Sequence, residues 1–156
     1  MQLSDIIASN AVLPSLRAAS KKQLLQELSN AAAKLTGLDA RPIFESLLQR
    51  EKLGSTGLGQ GIAIPHAKFP ELDRVQGLFA RLAQPVDFDA PDEQPVDLVF
   101  LLLAPESAGA DHLKALARIS RLLRDSGLVG KLRATGDAAA LYAILTEPTA
   151  SASHAA

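Results

Sequence analysis

The chain has 156 residues, of which 47% are hydrophobic and 21% charged, and this balance suits one globular domain with a sizeable core. Sixteen basic and seventeen acidic side chains give a net charge of -1, which does not indicate a nucleic-acid or membrane-surface binder. The absence of cysteine excludes a disulfide scaffold, a thiolate metal site and a cysteine nucleophile. We expect no targeting segment, because residues 1–5 lack a basic region and Asp5 interrupts any apolar one; the longest apolar run, residues 98–104, is far shorter than the roughly 20 residues that span a bilayer. We therefore expect a cytoplasmic protein without membrane insertion.

The first third of the chain predicts two helices. Ser20 and Gln23 form a capping-box pattern at the start of the first, and Gly37 is a natural stop for it. Asp39 is the predicted N-cap of the second helix, which Gly54 ends. The apolar residues that we expect on the buried faces are Leu24, Leu28, Ala31, Ala32 and Leu35 in the first helix and Ile43, Phe44, Leu47 and Leu48 in the second.

The remaining two thirds predict strands followed by helices. Strands are expected at residues 61–65, 75–82 and 95–104, with a loop at 85–95 that contains a short edge strand at 86–88. The last strand is apolar on both faces after Asp97, so helices should cover both. Helices are expected at 111–125, 128–134 and 137–146, the last capped by Asp137. This order indicates an α/β domain over residues 1–147, with a sheet between helical layers (α/β/α), followed by a disordered tail at 148–156.

Residues 53–66 form a glycine-rich segment of unusual composition. Four glycines between positions 54 and 61 permit positive φ angles and expose backbone N–H groups, as an anion cradle requires. The segment lacks the Lys-Ser/Thr pair of a P-loop, and unlike a Rossmann turn it leads from a helix into a strand. A flexible helix-to-strand connection is the alternative that the glycines alone favour.

His66 ends this segment and is the first candidate for chemistry. It follows Pro65, whose ring holds Ile64 in an extended conformation, so we expect His66 where a strand leaves the sheet. An imidazole with a pKa of about 6.5 is largely neutral at pH 7 and can attack phosphorus through its free nitrogen. The alternative is a strand-end histidine whose hydrogen bonds are satisfied within the protein.

Cationic or helix-terminal side chains elsewhere are further candidates for binding an anion. His112 lies in the first turn of a predicted helix, where the dipole favours a phosphoryl group and a neutral ring; the alternative is a surface histidine. Arg50, in the last turn of the second helix, can clamp phosphoryl oxygens or simply satisfy the helix end. Lys114, Arg118 and Arg121 form a stripe that suits either an acidic partner or a solvated face.

Metal and hydrolase motifs are missing from the sequence. The histidines at positions 66, 112 and 154 form no metal-binding pattern, so we expect neither a metal nor another cofactor. A G-x-S-x-G nucleophile motif is also missing, and no serine or aspartate has a spacing that argues for a catalytic triad.

Three ordered motifs identify a family resemblance. They are R-E-K-L-G-S-T-G at residues 50–57, G-I-A-I-P-H at 61–66, and F-D-A followed by Q-P-V-D-L between 88 and 98. Together they resemble the IIA proteins of the bacterial phosphoenolpyruvate-dependent phosphotransferase system (PTS), in the fructose/mannitol class and most of all its stand-alone nitrogen-related group. The resemblance covers about residues 3–147 and implies a single α/β domain with a mixed sheet between helical layers.

The resemblance also implies roles for particular residues. His66 is the implied phosphoryl acceptor, Arg50 the residue that contacts the phosphoryl group, and His112 an assisting hydrogen-bond donor. Ala67 stands where relatives often carry glycine, which narrows backbone freedom beside the acceptor. The implied phosphoryl-binding residues of the loop are Ser55, Thr56 and Gly57.

The function implied by the resemblance is regulatory phosphotransfer. An HPr-like carrier would donate the phosphoryl group, and the phosphorylation state would control partner proteins such as potassium transporters or sensor kinases. Because no IIB or membrane IIC sequence accompanies the domain here, we favour this regulatory function over a sugar-specific IIA component that passes phosphate to a separate IIB. Two further hypotheses are a non-enzymatic module that holds an anionic ligand and a relative that acts only as an interaction partner.

Overall fold

Helices cover both faces of a six-stranded mixed sheet in the computed structural model, which describes residues 2–147. The predicted α/β/α fold is therefore confirmed, whereas the predicted tail at 148–156 lies outside the described residues. No helix within this described part is long and apolar enough to cross a membrane. In chain order the elements are a 3-10 turn (Leu3–Asp5), β1 (Ile7–Leu16), α1 (Lys21–Thr36), α2 (Ala40–Lys52), β2 (Gly57–Gly59), β3 (Ile62–Ala63), β4 (His66–Phe69), β5 (Gln76–Val86), β6 (Val96–Pro105), α3 (Gly109–Leu122), α4 (Ser126–Ala134) and α5 (Ala138–Thr146).

Strand β6 is the centre of the sheet and pairs with three other strands. On one edge β5 runs antiparallel to it, with Phe79 opposite Phe100. On the other edge β3 and β4 follow one another in parallel, so that His66 lies opposite Leu102. Strand β1 extends the sheet in parallel beyond β5, and β2 adds to β3 in antiparallel orientation. This topology places the predicted acceptor next to the most buried strand of the protein.

Alternate residues of β6 enter two separate hydrophobic cores. Leu98 and Phe100 pack in the core that α3, α4 and α5 share with β1. Val99 and Leu101 pack in the core formed with α1 and α2. All four side chains are fully buried, and burial of each contributes about 1.5–3 kcal/mol. The expectation that helices cover both faces of this strand is confirmed.

The strand predictions differ from the structure at β1, β2 and β4, which the sequence pattern does not predict, and at residues 86–88. The sequence pattern does not predict β1, because Ser9, Asn10 and Pro14 interrupt its apolar residues. Since β1 lies at the edge of the sheet and pairs only with β5, these residues are tolerated there. The short edge strand predicted at 86–88 is wrong: Val86 ends β5 opposite Val96, because the strand continues past Pro85 after a register irregularity.

The caps of α1 and α5 follow the predicted signals, whereas α2, α3 and α4 differ from the prediction. The Ser20 hydroxyl accepts a backbone N–H of α1 at 3.1 Å, Gly37 closes that helix with a φ of 81°, and Asp137 caps α5. Asp39 precedes α2 but makes no side-chain cap bond. Helix α3 begins at Gly109, two residues earlier than predicted, and has no side-chain cap. Helix α4 begins at Ser126 rather than at residue 128, and α3 ends at Leu122 rather than at residue 125.

The glycine-rich segment contains a β-hairpin. Strands β2 and β3 are joined by Gln60 and Gly61, which have φ angles of 58° and 83°, and a two-residue type I′ turn requires positive φ at both positions. A Cβ atom on Gly61 would collide with the Arg133 guanidinium and the Asp97 carboxylate, which bond to one another. The segment is thus a defined connection whose turn needs glycine for space as well as for conformation.

Candidate functional site

The predicted acceptor His66 is the first residue of β4. Ile64 and Pro65 separate β4 from β3, but the carbonyl of Pro65 still accepts the N–H of Leu102 at 3.0 Å. The expectation that His66 lies where a strand leaves the sheet is therefore wrong. The chain pairs again with β6 directly after the interruption, because proline removes only one N–H donor. The backbone of the acceptor is consequently held inside the sheet.

A backbone carbonyl determines the tautomer of His66. The ring nitrogen Nδ1 lies 3.0 Å from the carbonyl oxygen of Ile64. Since a carbonyl can only accept a hydrogen bond, Nδ1 carries the proton and donates it. In the neutral ring the lone pair then belongs to Nε2, and this nitrogen is the nucleophilic one.

Arg50 faces this second nitrogen from the last turn of α2. Its Nε donates to Nε2 of His66 over 3.4 Å, a long and therefore weak hydrogen bond. Its Nη1 donates to the carbonyl of Gly54 at 3.0 Å, which directs the guanidinium toward the loop that follows the helix. The structure thus brings Arg50 and His66 together, as the motifs predict.

His112 joins them from α3. Its ring centroid lies 5.4 Å from that of His66, with the two rings 61° apart in an edge-on arrangement. The side chain is buried, at 4% exposure, so the alternative of a surface histidine is wrong. Its backbone N–H is occupied by the carbonyl of Ala108, whereas its Nδ1 has no hydrogen-bond partner among residues 2–147.

The pKa values of both rings are lowered, which favours their neutral forms. Burial, followed by the positive charges of Arg50 and Lys68, lowers the pKa of His66, while the Ile64 bond and Glu51 oppose this change. Burial also lowers the pKa of His112 to about 4, with the charges of His66 and Lys68 contributing. The pair therefore combines one nucleophilic imidazole with one uncharged hydrogen-bonding imidazole.

Lys68 is a site residue that the sequence motifs did not indicate. It is exposed, lines the same cavity as the two histidines, and acts on the pKa of both. Residues two apart on a strand share a face, so Lys68 lies on the His66 side of β4. The two-residue spacing of Lys68 and His66 is visible in the sequence, but it indicates a shared face only once β4 is known to be a strand.

The three loop residues expected to bind the phosphoryl group lie elsewhere. Ser55 donates its hydroxyl to the carbonyl of Phe88 at 2.9 Å. Thr56 is buried and donates both its backbone N–H and its hydroxyl to the Glu51 carboxylate. Gly57 is buried close to Ala90. None of the three is among the described residues that line the cavity around His66.

The cavity beside His66 is much larger than a phosphoryl group. It has a volume of about 920 Å³ and is lined by residues of α2, β4 and α3. Two of its lining side chains, Leu53 and Leu113, are 84% and 67% exposed. Exposed leucines next to the reactive groups are typical of a surface that another macromolecule covers. The groove can therefore accommodate a protein partner.

The basic stripe on α3 and the acidic and histidine side chains were the other candidates for binding a partner or a metal. The stripe of Lys114, Arg118 and Arg121 is exposed on α3 and takes part in none of the ion pairs found within residues 2–147. That described part also contains no group of three histidine or acidic residues able to hold a metal ion. The site chemistry that the structure presents is that of two imidazoles, a guanidinium and an ammonium group.

Comparison with known proteins identifies the class of this site. Residues 5–147 match the family described as "Phosphoenolpyruvate-dependent sugar phosphotransferase system, EIIA 2". The match covers most of the chain, and the chain belongs to this family. Membership supports a role in phosphotransfer in general.

Within the family the chain is similar to nitrogen regulatory proteins. It is 61% identical over 152 residues to the nitrogen regulatory protein of Bradyrhizobium diazoefficiens, covering 97% of this chain and 99% of the relative. It is 43% identical over 148 residues to that of Klebsiella oxytoca, covering 94% and 91%. The crystal structure of nitrogen regulatory protein IIA-Ntr from Neisseria meningitidis superposes with a TM-score of 0.87 at 38% identity, over 92% of this chain and 99% of that one. These similarities support a regulatory PTS protein.

Proposed function

We propose that this protein accepts a phosphoryl group on Nε2 of His66 from a histidine-phosphorylated, HPr-like carrier. The observation that carries the proposal is the hydrogen bond from Nδ1 to the Ile64 carbonyl, which leaves the lone pair on Nε2. A lowered pKa keeps that lone pair free at neutral pH, with burial as its main cause. Arg50 already contacts Nε2 and stands where an incoming phosphoryl group would need a cation.

The transfer balances without a cofactor. Nε2 of His66 attacks phosphorus, the nitrogen–phosphorus bond of the carrier breaks, and its electron pair returns to the carrier's imidazole. In the loose transition state the charge spreads over three phosphoryl oxygens. Arg50 and Lys68 supply positive charge and neutral His112 supplies a hydrogen-bond donor, as preorganised stabilisation of that charge requires.

The groove provides the surface for the carrier. Leu53 and Leu113 expose apolar area on the two helical sides of the cavity that contains His66. A carrier that buries these leucines brings its phosphohistidine to His66 and excludes water from the transfer. The loop hydroxyls of Ser55 and Thr56 shape the connection behind this surface through their bonds to Phe88 and Glu51.

The phosphorylation state is the output in this proposal. The high identity to proteins named nitrogen regulatory protein supports regulation over sugar transport. Regulatory targets such as potassium transporters or sensor kinases are the partners that the family resemblance implies. A sugar-specific IIA would instead pass its phosphoryl group on to a separate IIB protein.

The test is phosphorylation of the purified protein by phosphoenolpyruvate, enzyme I and an HPr-type carrier, followed by intact mass at neutral and acidic pH. We expect one acid-labile phosphoryl group, lost in His66→Ala and retained in His154→Ala, which removes the third histidine of the sequence. No mass gain with HPr-type carriers of either the sugar or the nitrogen branch would contradict the proposal. Anion binding that survives His66→Ala would then favour a non-enzymatic module, and rapid discharge to a fructose-type IIB would favour the sugar pathway.

A further inference from the structure

Glu51, the neighbour of Arg50 in the sequence, carries a buried carboxylate. Its side chain is only 3% exposed. Oε1 accepts the backbone N–H of Thr56 at 3.1 Å and lies 3.1 Å from the ammonium group of Lys21, while Oε2 accepts the Thr56 hydroxyl. These donors occupy both oxygens and offset the cost of burying the charge. An arrangement of this kind holds Thr56 in a single position.

Two hydrogen bonds to backbone carbonyls connect Thr56 with the ring of His66. The carbonyl of Thr56 accepts the N–H of Ile64 at 3.1 Å. The carbonyl of Ile64 accepts Nδ1–H of His66 at 3.0 Å. The Glu51 carboxylate is therefore the first member of a connected series of hydrogen bonds that ends at the imidazole. Displacement of Thr56 would tilt the carbonyl that sets the ring's orientation and tautomer.

Charged and titratable groups face His66 from three elements. Helix α2 contributes Arg50 and Glu51, strand β4 contributes Lys68, and α3 contributes His112. Apart from burial, Arg50 and Lys68 lower the pKa of His66, and Glu51 is the one carboxylate among the described residues that raises it. Attack by Nε2 while Nδ1 keeps its proton makes the ring cationic, and a nearby negative charge stabilises such a ring.

We propose that Glu51 is a positioning residue for phosphoryl acceptance. Through Thr56 and Ile64 it holds the His66 ring with Nε2 toward Arg50, and its charge stabilises the cationic ring that forms on attack. This inference rests on the proposed function. Glu51 touches neither the phosphoryl group nor the carrier in this role, because its two oxygens are occupied by Thr56 and Lys21.

The first test is Glu51→Gln, with Glu71→Gln as a control that removes one exposed carboxylate outside the cavity. NMR titration of the His66 ring should show a midpoint at lower pH in Glu51→Gln and an unchanged one in Glu71→Gln. Phosphoryl acceptance from the carrier should slow about ten- to hundredfold in Glu51→Gln only, as expected when a reacting group is displaced. An unchanged His66 midpoint, with or without a slower transfer, would overturn the inference.

A second pair of variants separates orientation from charge and covers a Glu51→Gln chain that fails to fold. Thr56→Val removes the hydroxyl but keeps the carboxylate, whereas Thr56→Ser keeps both. We expect Thr56→Val to slow acceptance and to populate the other ring tautomer in nitrogen NMR spectra, and Thr56→Ser to restore both. Equal rates and spectra in the two variants would contradict the positioning role. Because the NMR measurement needs no carrier, it remains informative even if wild-type protein is never phosphorylated.

Discussion

The two histidines of the site are held in different ways. Both ring nitrogens of His66 have partners, the Ile64 carbonyl and Arg50, and its backbone is paired within the sheet. His112 stands in a helix without a side-chain cap, and its Nδ1 has no hydrogen-bond partner in the described part of the chain. An unpaired buried nitrogen costs about 1–3 kcal/mol, so the difference is energetically substantial.

This difference matches the two chemical tasks. A nucleophile must present one particular nitrogen before the reaction begins, and the protein fixes that choice for His66 in advance. An assisting ring needs a hydrogen-bond partner only while charge develops on the phosphoryl oxygens. In the proposed transfer, a hydrogen bond from His112 to the phosphoryl oxygens would form only as this charge develops, and interactions made only in the transition state accelerate a reaction.

The largest expected effect comes from removing the partner of Nε2. We expect Arg50→Ala to slow phosphoryl acceptance about 100- to 1,000-fold, since it deletes both the cation and a hydrogen-bond donor at the reacting nitrogen. Arg50→Lys keeps the charge without the planar fork and should lose about tenfold. Rapid-quench kinetics with phosphorylated carrier measure both. Equal rates for wild type and Arg50→Ala would show that the contact between Arg50 and Nε2 of His66 contributes nothing to transfer.

Removal of the His112 ring should slow phosphoryl acceptance less than removal of the Arg50 side chain. His112→Ala is expected to slow acceptance about ten- to hundredfold, because Arg50 and Lys68 still stabilise the phosphoryl oxygens. His112→Gln keeps a neutral donor and should recover part of the rate. The same kinetic measurement decides, with intact mass confirming one phosphoryl group on each variant. A loss of rate larger than that of Arg50→Ala would reverse the expected ranking of Arg50 and His112.

The pH dependence should reflect the environment of His66. Only its neutral form attacks, and burial lowers its pKa below the ordinary value of 6.5. Acceptance should therefore stay nearly constant from about pH 8 to 6.5 and fall about tenfold per pH unit only below the lowered pKa. NMR titration of the free protein gives the midpoints independently, with His112 expected near 4. A His66 midpoint above 6.5 would contradict this expectation.

The smallest effect is expected at the end of α3, outside the cavity. Asp125 caps α4 by accepting the N–H groups of Gly127 and Leu128. Asp125→Ala should cost about 1 kcal/mol of unfolding free energy, which lowers the melting temperature by a few degrees. Thermal denaturation measures the loss, and phosphoryl acceptance should be unchanged. A slower transfer would mean that the region around His112 depends on its neighbouring caps for activity.

The sequence identifies the main residues of the candidate site but not the hydrogen-bond partners that hold the neighbouring loop. Arg50 and His66 are identified by short motifs and His112 by its place in the first turn of a helix, and the structure brings the three together because α2, β4 and α3 line one cavity. The role of Thr56 could not be assigned in this way. Its hydroxyl bonds to Glu51, and a glutamate between an arginine and a lysine has the pattern of a solvated charge. Burial of such a group depends on the loop turning back over the helix end.

The same contrast holds for the fold. The apolar run of β6 predicts a strand buried on both faces because that property is local to its residues. Strand β1 escapes prediction because edge strands tolerate polar residues and proline, and its pairing with β5 joins segments about 70 positions apart, such as Ile7 and Gly77. Short strands such as β4 are equally hidden, since only their pairing with β6 distinguishes them from loop.

The backbone pairing of His66 has a consequence for signalling. Because its main chain is held opposite Leu102, phosphorylation of His66 as proposed would add negative charge at one point without reshaping the fold. At physiological salt that charge is felt over about 8 Å. In the proposed function, a partner that distinguishes the two states would therefore have to cover the cavity that the carrier covers. Donor and target would then exclude one another, and a bound target would keep His66 from gaining or losing its phosphoryl group.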